Sequence, residues 1–201
     1  MLKIGITGGI GAGKTTVCRL FAELKIPVYY ADDRAKWLMQ HDEELIQQLK
    51  TAFGTDIYLA DGSLDRAKLA NLVFNNPAEL QKLNSITHPE VLEDGERWQR
   101  MQRLNGAIYT LKEAALLYES GSHEYLDKII VVAADDAQRI TRVMQRDNCS
   151  REQVLARLYK QMPQADKIKL ADWVIYNHDN EDMRAAVQKI HRQILALANA
   201  K

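Results

Sequence analysis

Apolar positions along the chain follow two different periods. Short runs at 2–7, 27–30, 107–111, 128–133 and 173–176 place Ile, Val, Leu and Tyr next to one another, the pattern of strands buried on both faces of a parallel sheet. Between these runs, apolar residues recur at spacings of three and four. Val17, Leu20, Phe21 and Leu24 form one such stripe, and Val187, Ile190, Ile194 and Leu197 another. The same spacing predicts helices over about 43–53, 65–74, 77–86, 89–104 and 136–146. Ser150 with Gln153 forms a capping-box pattern ahead of Val154, Leu155 and Leu158, so a further short helix is expected there. Strands alternating with helices predict an α/β fold built on a five-stranded parallel sheet flanked by helices. Between the second and third strands no strand pattern occurs, and about 58–105 is expected to be a helical insertion that binds substrate. A flap, or lid, is expected at about 139–165. No repeat or linker interrupts the 201 residues, which suit a single domain over 1–201.

Charge narrows the partners. Lys and Arg number 27 and Asp and Glu 27, so the net charge is zero and no global basic field is available for nucleic acid or an anionic membrane. Any anion site must be local. Cys18 and Cys149 form neither a disulfide framework nor a zinc motif. With no leader-like start and no membrane-length apolar run, the expected location is cytoplasmic. Nothing in the chain specifies an oligomeric state.

A local anion site is present. Gly8, Gly9, Ile10, Gly11, Ala12, Gly13, Lys14 and Thr15 fit G-x-x-x-x-G-K-[ST], after the strand at 2–7 and before the first helical stripe. This is the P-loop context: glycines let successive N–H groups converge on phosphate, and the helix N-terminus adds partial positive charge. Lys14 would serve the β- and γ-phosphates, and the Thr15 hydroxyl suits Mg²⁺. No N-K-x-D element for guanine occurs, and the strand at 107–111 is followed by Lys112-Glu113 rather than ending in an Asp of the motor-ATPase type. A P-loop kinase acting on a small molecule fits better. Such an enzyme needs an acceptor-side carboxylate and arginines that neutralise the moving phosphoryl group. Asp32 and Asp33 follow the second strand, at the edge where parallel sheets bind ligands, although either also suits a helix N-cap. Arg139, Arg142 and Arg146 form a row opposite Ala137, Ile140, Val143 and Met144, and are equally compatible with phosphate contact or a solvated face.

Together these residues resemble the dephospho-coenzyme A kinase family, from Ile4 to about Asn177. The phosphate loop has the family form from Thr7 to Thr15. Ala31-Asp32 with Ala35-Lys36 matches D-A-D-x-x-A-[RK]. Leu83-Asn84 with His88-Pro89 resembles L-N-x-x-x-H-P, and Leu116-Leu117-Tyr118-Glu119 is similar to L-L-[FY]-E. Arg142 and Arg146-Asp147 match the flap. Arg157, Gln161, Lys167, Ala171-Asp172, Val174-Ile175 and Asn177 follow in family order. Three positions depart from the pattern: Tyr30 replaces the first Asp of D-A-D, Ala115 a Pro before Leu-Leu, and Asp179 a Gly after Asn177.

The resemblance implies a P-loop NTPase fold with a helical substrate-binding insertion and a lid. It implies transfer of the ATP γ-phosphate to the ribose 3′-hydroxyl of dephospho-coenzyme A, with Mg²⁺ as cofactor. Catalytic roles are expected for Asp32 rather than Asp33, and for Lys14, Arg142 and Arg146. ATP contacts are expected at Gly9, Gly11, Ala12, Gly13, Lys14, Thr15, Thr16, Arg139 and Asn177. Asp32, Lys36, His88 and Glu119 are expected to bind the acceptor. Two other readings are a kinase for a different nucleotide or small alcohol, and a nucleotide-binding regulator without phosphoryl transfer.

Overall fold

A computed structural model describes residues 1–74, 76–178 and 182–200. Asp179, one of the three departures, lies outside them. The elements in chain order are β1 (Leu2–Thr7), α1 (Lys14–Glu23), β2 (Val28–Tyr30), α2 (Ala31–His41), α3 (Glu43–Phe53), α4 (Arg66–Phe74) and α5 (Pro77–Leu104). There follow β3 (Tyr109–Glu113), β4 (Lys128–Ala133), α6 (Asp136–Asp147), α7 (Arg151–Leu158), α8 (Gln164–Leu170), β5 (Trp173–Tyr176) and α9 (Met183–Asn199). The chain divides into two compact units, one of Met1–Tyr30 with Met101–Lys201 and one of Ala31–Arg100.

The first unit contains the sheet, whose strands are all parallel in the order β2-β3-β1-β4-β5. β1 is therefore central, with β3 and β4 on its two sides. Ile4 and Ile6 are fully buried, as two-sided coverage requires, and join Phe21 of α1, Ile130, Ile175, Ile190 and Ile194 in one core. Burying each such side chain contributes about 1.5–3 kcal/mol. β3 starts and ends two residues later than the run at 107–111 suggested. The apolar pattern missed its end because Lys112 and Glu113 are charged, yet both are buried in the strand. Helices α6 and α7, in the stretch expected to form a lid, share a small core of Ile140, Val143 and Val154. At the start of α7 the capping box forms: Ser150 Oγ accepts from Gln153 N–H, and Gln153 Oε1 accepts from Ser150 N–H.

The second unit is helical and takes in α2 and α3 as well as the block expected at 58–105 as far as Arg100. Its core is built from Leu38, Leu45, Leu49, Ile57, Leu64, Leu69 and Val73. The two helices expected at 77–86 and 89–104 are one helix, α5, with Pro89 inside it. A proline there removes an intrahelical bond and costs about 3 kcal/mol. Leu83, Ile86 and Val91 pack against the unit core on both sides of Pro89, which favours continuation over a break.

Candidate active site

The phosphate loop runs from the carboxyl end of β1 into α1. Gly13 precedes α1 at φ 96°, and a Cβ there would lie 2.1 Å from Asn177 Nδ2. A Cβ at Gly9 would lie 1.9 Å from Arg139 Nη2. At Gly13 the positive φ favours glycine, and at both positions a side chain would displace Arg139 or Asn177 from the loop. Ala12 is buried, and its carbonyl accepts from Asn177 Nδ2 at 2.8 Å. Thr15 and Thr16 are exposed in the first turn of α1.

Lys14 folds back over the loop. Its Nζ donates to the Gly8 carbonyl at 3.1 Å and lies 3.7 Å from Glu113 Oε1. Both side chains are nearly covered, at 11% and 10% exposure. Strand register makes this approach, since Glu113 at the end of β3 pairs with Ile6 of β1. Glu113 is the site residue that sequence reasoning missed. The sequence places Lys112-Glu113 at the end of the run at 107–111, but there the pair serves only to show that a motor-type Asp is missing, and Glu113 is not named as a candidate; the structure ends β3 on it. Starting the strand at Tyr109 would have exposed the signal.

The three arginines of α6 do not share an environment, contrary to the row expected from spacing. Arg139 is only 4% exposed and turns toward the loop, where Nε donates to the Ile10 carbonyl at 3.1 Å and Nη1 to Asp136 at 2.7 Å. Burial lowers its pKa, against the opposing effect of Asp136. Arg142 is half-buried, with Nη2 3.4 Å from the Asn177 carbonyl and 3.3 Å from Gln138 Oε1. Its buried Nη1 has no partner among the described residues. Arg146 is exposed and pairs with Asp147, which also accepts from Arg157. Periodicity placed the Cα positions correctly, but the two long stems of Arg139 and Arg142 reach neighbours that no local pattern specifies.

Asn177 ties these pieces together. Its N–H donates to the Ala133 carbonyl at 2.7 Å, its side chain holds Ala12, and its carbonyl accepts from Arg142. Glu119 pairs with Lys167 at 2.9 Å and accepts from Met162 N–H at 2.8 Å. Lys167 is fully buried and also donates to the Ala115 carbonyl at 3.0 Å. Only the backbone of Ala115 is used in this bond. Burial acts to raise the Glu119 pKa, but the Lys167 ion pair and the Met162 N–H outweigh it and lower the value.

In the helical unit, α2 begins at Ala31, so Asp32 and Asp33 lie inside its first turn rather than at an N-cap. Both carboxylates are exposed and suit the positive end of the helix dipole. Asp33 pairs with Lys36 at 2.9 Å, which distinguishes it from Asp32. Next to Asp33, Arg34 grips Asp94 of α5 with Nε at 2.9 Å and Nη2 at 2.6 Å. His88 is exposed on α5. Tyr30, the first departure, ends β2 opposite Glu113.

Among the described residues no group of three or more His, Cys, Asp or Glu side chains is placed to hold a metal. Among the described residues no helix is long and apolar enough to cross a membrane.

The family profile described as dephospho-CoA kinase matches residues 2–182. That span includes the phosphate loop, Glu113, α6, α7 and Asn177. The chain belongs to the dephospho-CoA kinase family. A curated dephospho-CoA kinase from Geobacillus kaustophilus is 38% identical over 196 residues, covering 98% of this chain and 94% of the relative. Among solved structures, a protein from Thermus thermophilus is 38% identical with a TM-score of 0.79, covering 96% of this chain and 97% of the other. A dephospho-CoA kinase from Campylobacter jejuni is 29% identical with a TM-score of 0.70, at the same coverage. These two likenesses extend over nearly the whole of each chain. Both the α/β fold with its P-loop and the kinase function expected from the sequence therefore stand, and nothing in the comparisons favours a kinase for another acceptor.

Proposed function

We propose that the phosphate loop, Lys14, Glu113 and the α6 arginines form the ATP side of a dephospho-coenzyme A kinase site, and that Asp32 serves the acceptor. The observation that carries this reading is the placement of Lys14 between the Gly8 carbonyl and Glu113, with Arg139 on the Ile10 carbonyl of the same loop and Arg142 on the Asn177 carbonyl. Lys14 and the loop N–H groups other than those of Ile10 and Ala12, which donate to Gln161 and Gly9, bind the β- and γ-phosphates. Arg142, with an unpartnered buried Nη1, and Arg146 neutralise charge on the transferred group. The 3′-hydroxyl oxygen forms a bond to the γ-phosphorus as the bond from that phosphorus to the β,γ-bridging oxygen breaks. ADP leaves, and the hydroxyl proton passes to the Asp32 carboxylate.

Mg²⁺ fits the donor chemistry, since the exposed Thr15 hydroxyl and the Glu113 carboxylate are hard oxygen donors. When bound it neutralises phosphate charge. Gly9, Gly11, Ala12, Gly13, Thr16, Arg139 and Asn177 shape the ATP site, and Lys36, His88 and Glu119 complete the acceptor side. The helical block at about 58–105 is the acceptor-binding part and 139–165 the lid of one kinase domain, working in the cytoplasm.

Mass-spectrometric detection of coenzyme A after mixing protein, ATP, Mg²⁺ and dephospho-coenzyme A tests the reading. Coenzyme A should form, and other nucleotides and small alcohols should be poor acceptors. Absence of product, or faster transfer to a different acceptor, overturns it.

A further inference from the structure

Ile10, at the tip of the phosphate loop, is held by the lid at three points. Its N–H donates to Gln161 Oε1 at 2.9 Å, its carbonyl accepts from Arg139 Nε at 3.1 Å, and its side chain packs on the lid core of Ile140, Val143 and Val154. Gln161 lies just beyond α7 on a pinned backbone, because its own N–H donates to Leu158 at 3.0 Å and the next N–H, of Met162, donates to Glu119. The side chain therefore reaches the loop from a fixed point. On either side of Ile10 stand Gly9 and Gly11, the latter at φ 78°, so the tip has little intrinsic stiffness. An untethered tip would have to lose that freedom when phosphate binds, and ordering a loop on binding weakens affinity.

We infer that Gln161 is a positioning residue for ATP: through the Ile10 N–H it orders the phosphate loop before nucleotide arrives and couples the loop to the lid. The inference rests on the proposed ATP-binding role of that loop. Gln161 makes its contact through one acceptor atom, so its effect is separable from packing. Gln161→Met keeps the length and removes the acceptor, whereas Gln161→Glu keeps an acceptor oxygen.

Two measurements decide the point at a temperature where circular dichroism shows every variant folded. The first is hydrogen exchange of the loop amides without nucleotide. Exchange at Ile10 should be faster in Gln161→Met and close to the parent rate in Gln161→Glu. The second is ATP affinity and the KM values for both substrates. In Gln161→Met the ATP Kd and KM should rise about two- to tenfold, the scale of one hydrogen bond, with the acceptor KM unchanged. Unchanged Ile10 exchange or unchanged ATP affinity in Gln161→Met overturns the inference. So does a parallel rise in both KM values with a lower melting temperature, which marks a general structural role. Failure of the parent protein to form coenzyme A would instead strike the functional reading, because loop exchange is measured without turnover.

Discussion

At the scale of single residues, the sharpest test separates two adjacent carboxylates. Asp33 is engaged by Lys36, while Asp32 is exposed beside it in the same helical turn. Asn is nearly isosteric with Asp but does not take up a proton as a base does. Asp32→Asn should therefore bind both substrates and lose roughly a hundredfold or more in single-turnover rate, the scale of a positioned general base. Asp33→Asn should stay near the parent rate. The reverse result would remove Asp32 from the mechanism. Lys14 offers a second test of the same kind. It is nearly covered and lies 3.7 Å from Glu113. Lys14→Ala should lower turnover by roughly a hundredfold or more, as loss of a transition-state donor does. Because Glu113 loses a nearby cation, a modest drop in melting temperature should accompany it. Near-normal turnover with unchanged circular dichroism would disprove the assignment.

At the scale of elements, α8 is tied to the segment after β3 by a largely buried ion pair. Lys167 of α8 has no exposed surface and meets Glu119 from the segment after β3. With the Glu119 pKa held below its ordinary 4.5 in the folded protein, the unfolded chain binds the proton more readily. Stability from this pair is therefore fully present above pH 4.5 and is lost as pH falls through the depressed value. Glu119→Gln should melt at a lower temperature than the parent at pH 7, and its melting temperature should fall less steeply between pH 5 and 3. Thermal melts across that range check it. An equally steep acid limb in Glu119→Gln would show that other carboxylates carry the acid sensitivity. Only part of this element was legible in advance. The Leu116-Leu117-Tyr118-Glu119 element and Lys167 are recognisable in the sequence, but as separate family features, and their pairing with each other is not.

For the whole molecule, the consequence of an ordered nucleotide site is linkage between binding and stability. ATP at a hundred times its Kd should stabilise the folded chain by about 2.7 kcal/mol. For a protein of this length that corresponds to a rise in melting temperature of roughly 5–11 °C. Thermal melts with and without ATP and Mg²⁺ measure it, and Lys14→Ala should show a much smaller rise at the same ATP concentration. No shift in the parent protein would argue against a preformed ATP site.

What the sequence by itself determined was local: the parallel-strand runs, most helices, the phosphate loop and the Ser150 capping box, each written in neighbouring residues whose spacing is fixed by helix or strand geometry. The ordered motifs added the family. Tertiary structure alone decided the rest. Glu113 reaches Lys14 because β3 lies beside β1 in a particular register, and no local period encodes which strands are neighbours. Arg139 turns inward because the loop offers a carbonyl within reach of its stem, although its position on α6 reads as polar surface. α5 runs through Pro89 because apolar contacts on both sides outweigh a local rule. Gln161 meets Ile10 across a long stretch of sequence, and only the folded lid brings that acceptor to that N–H.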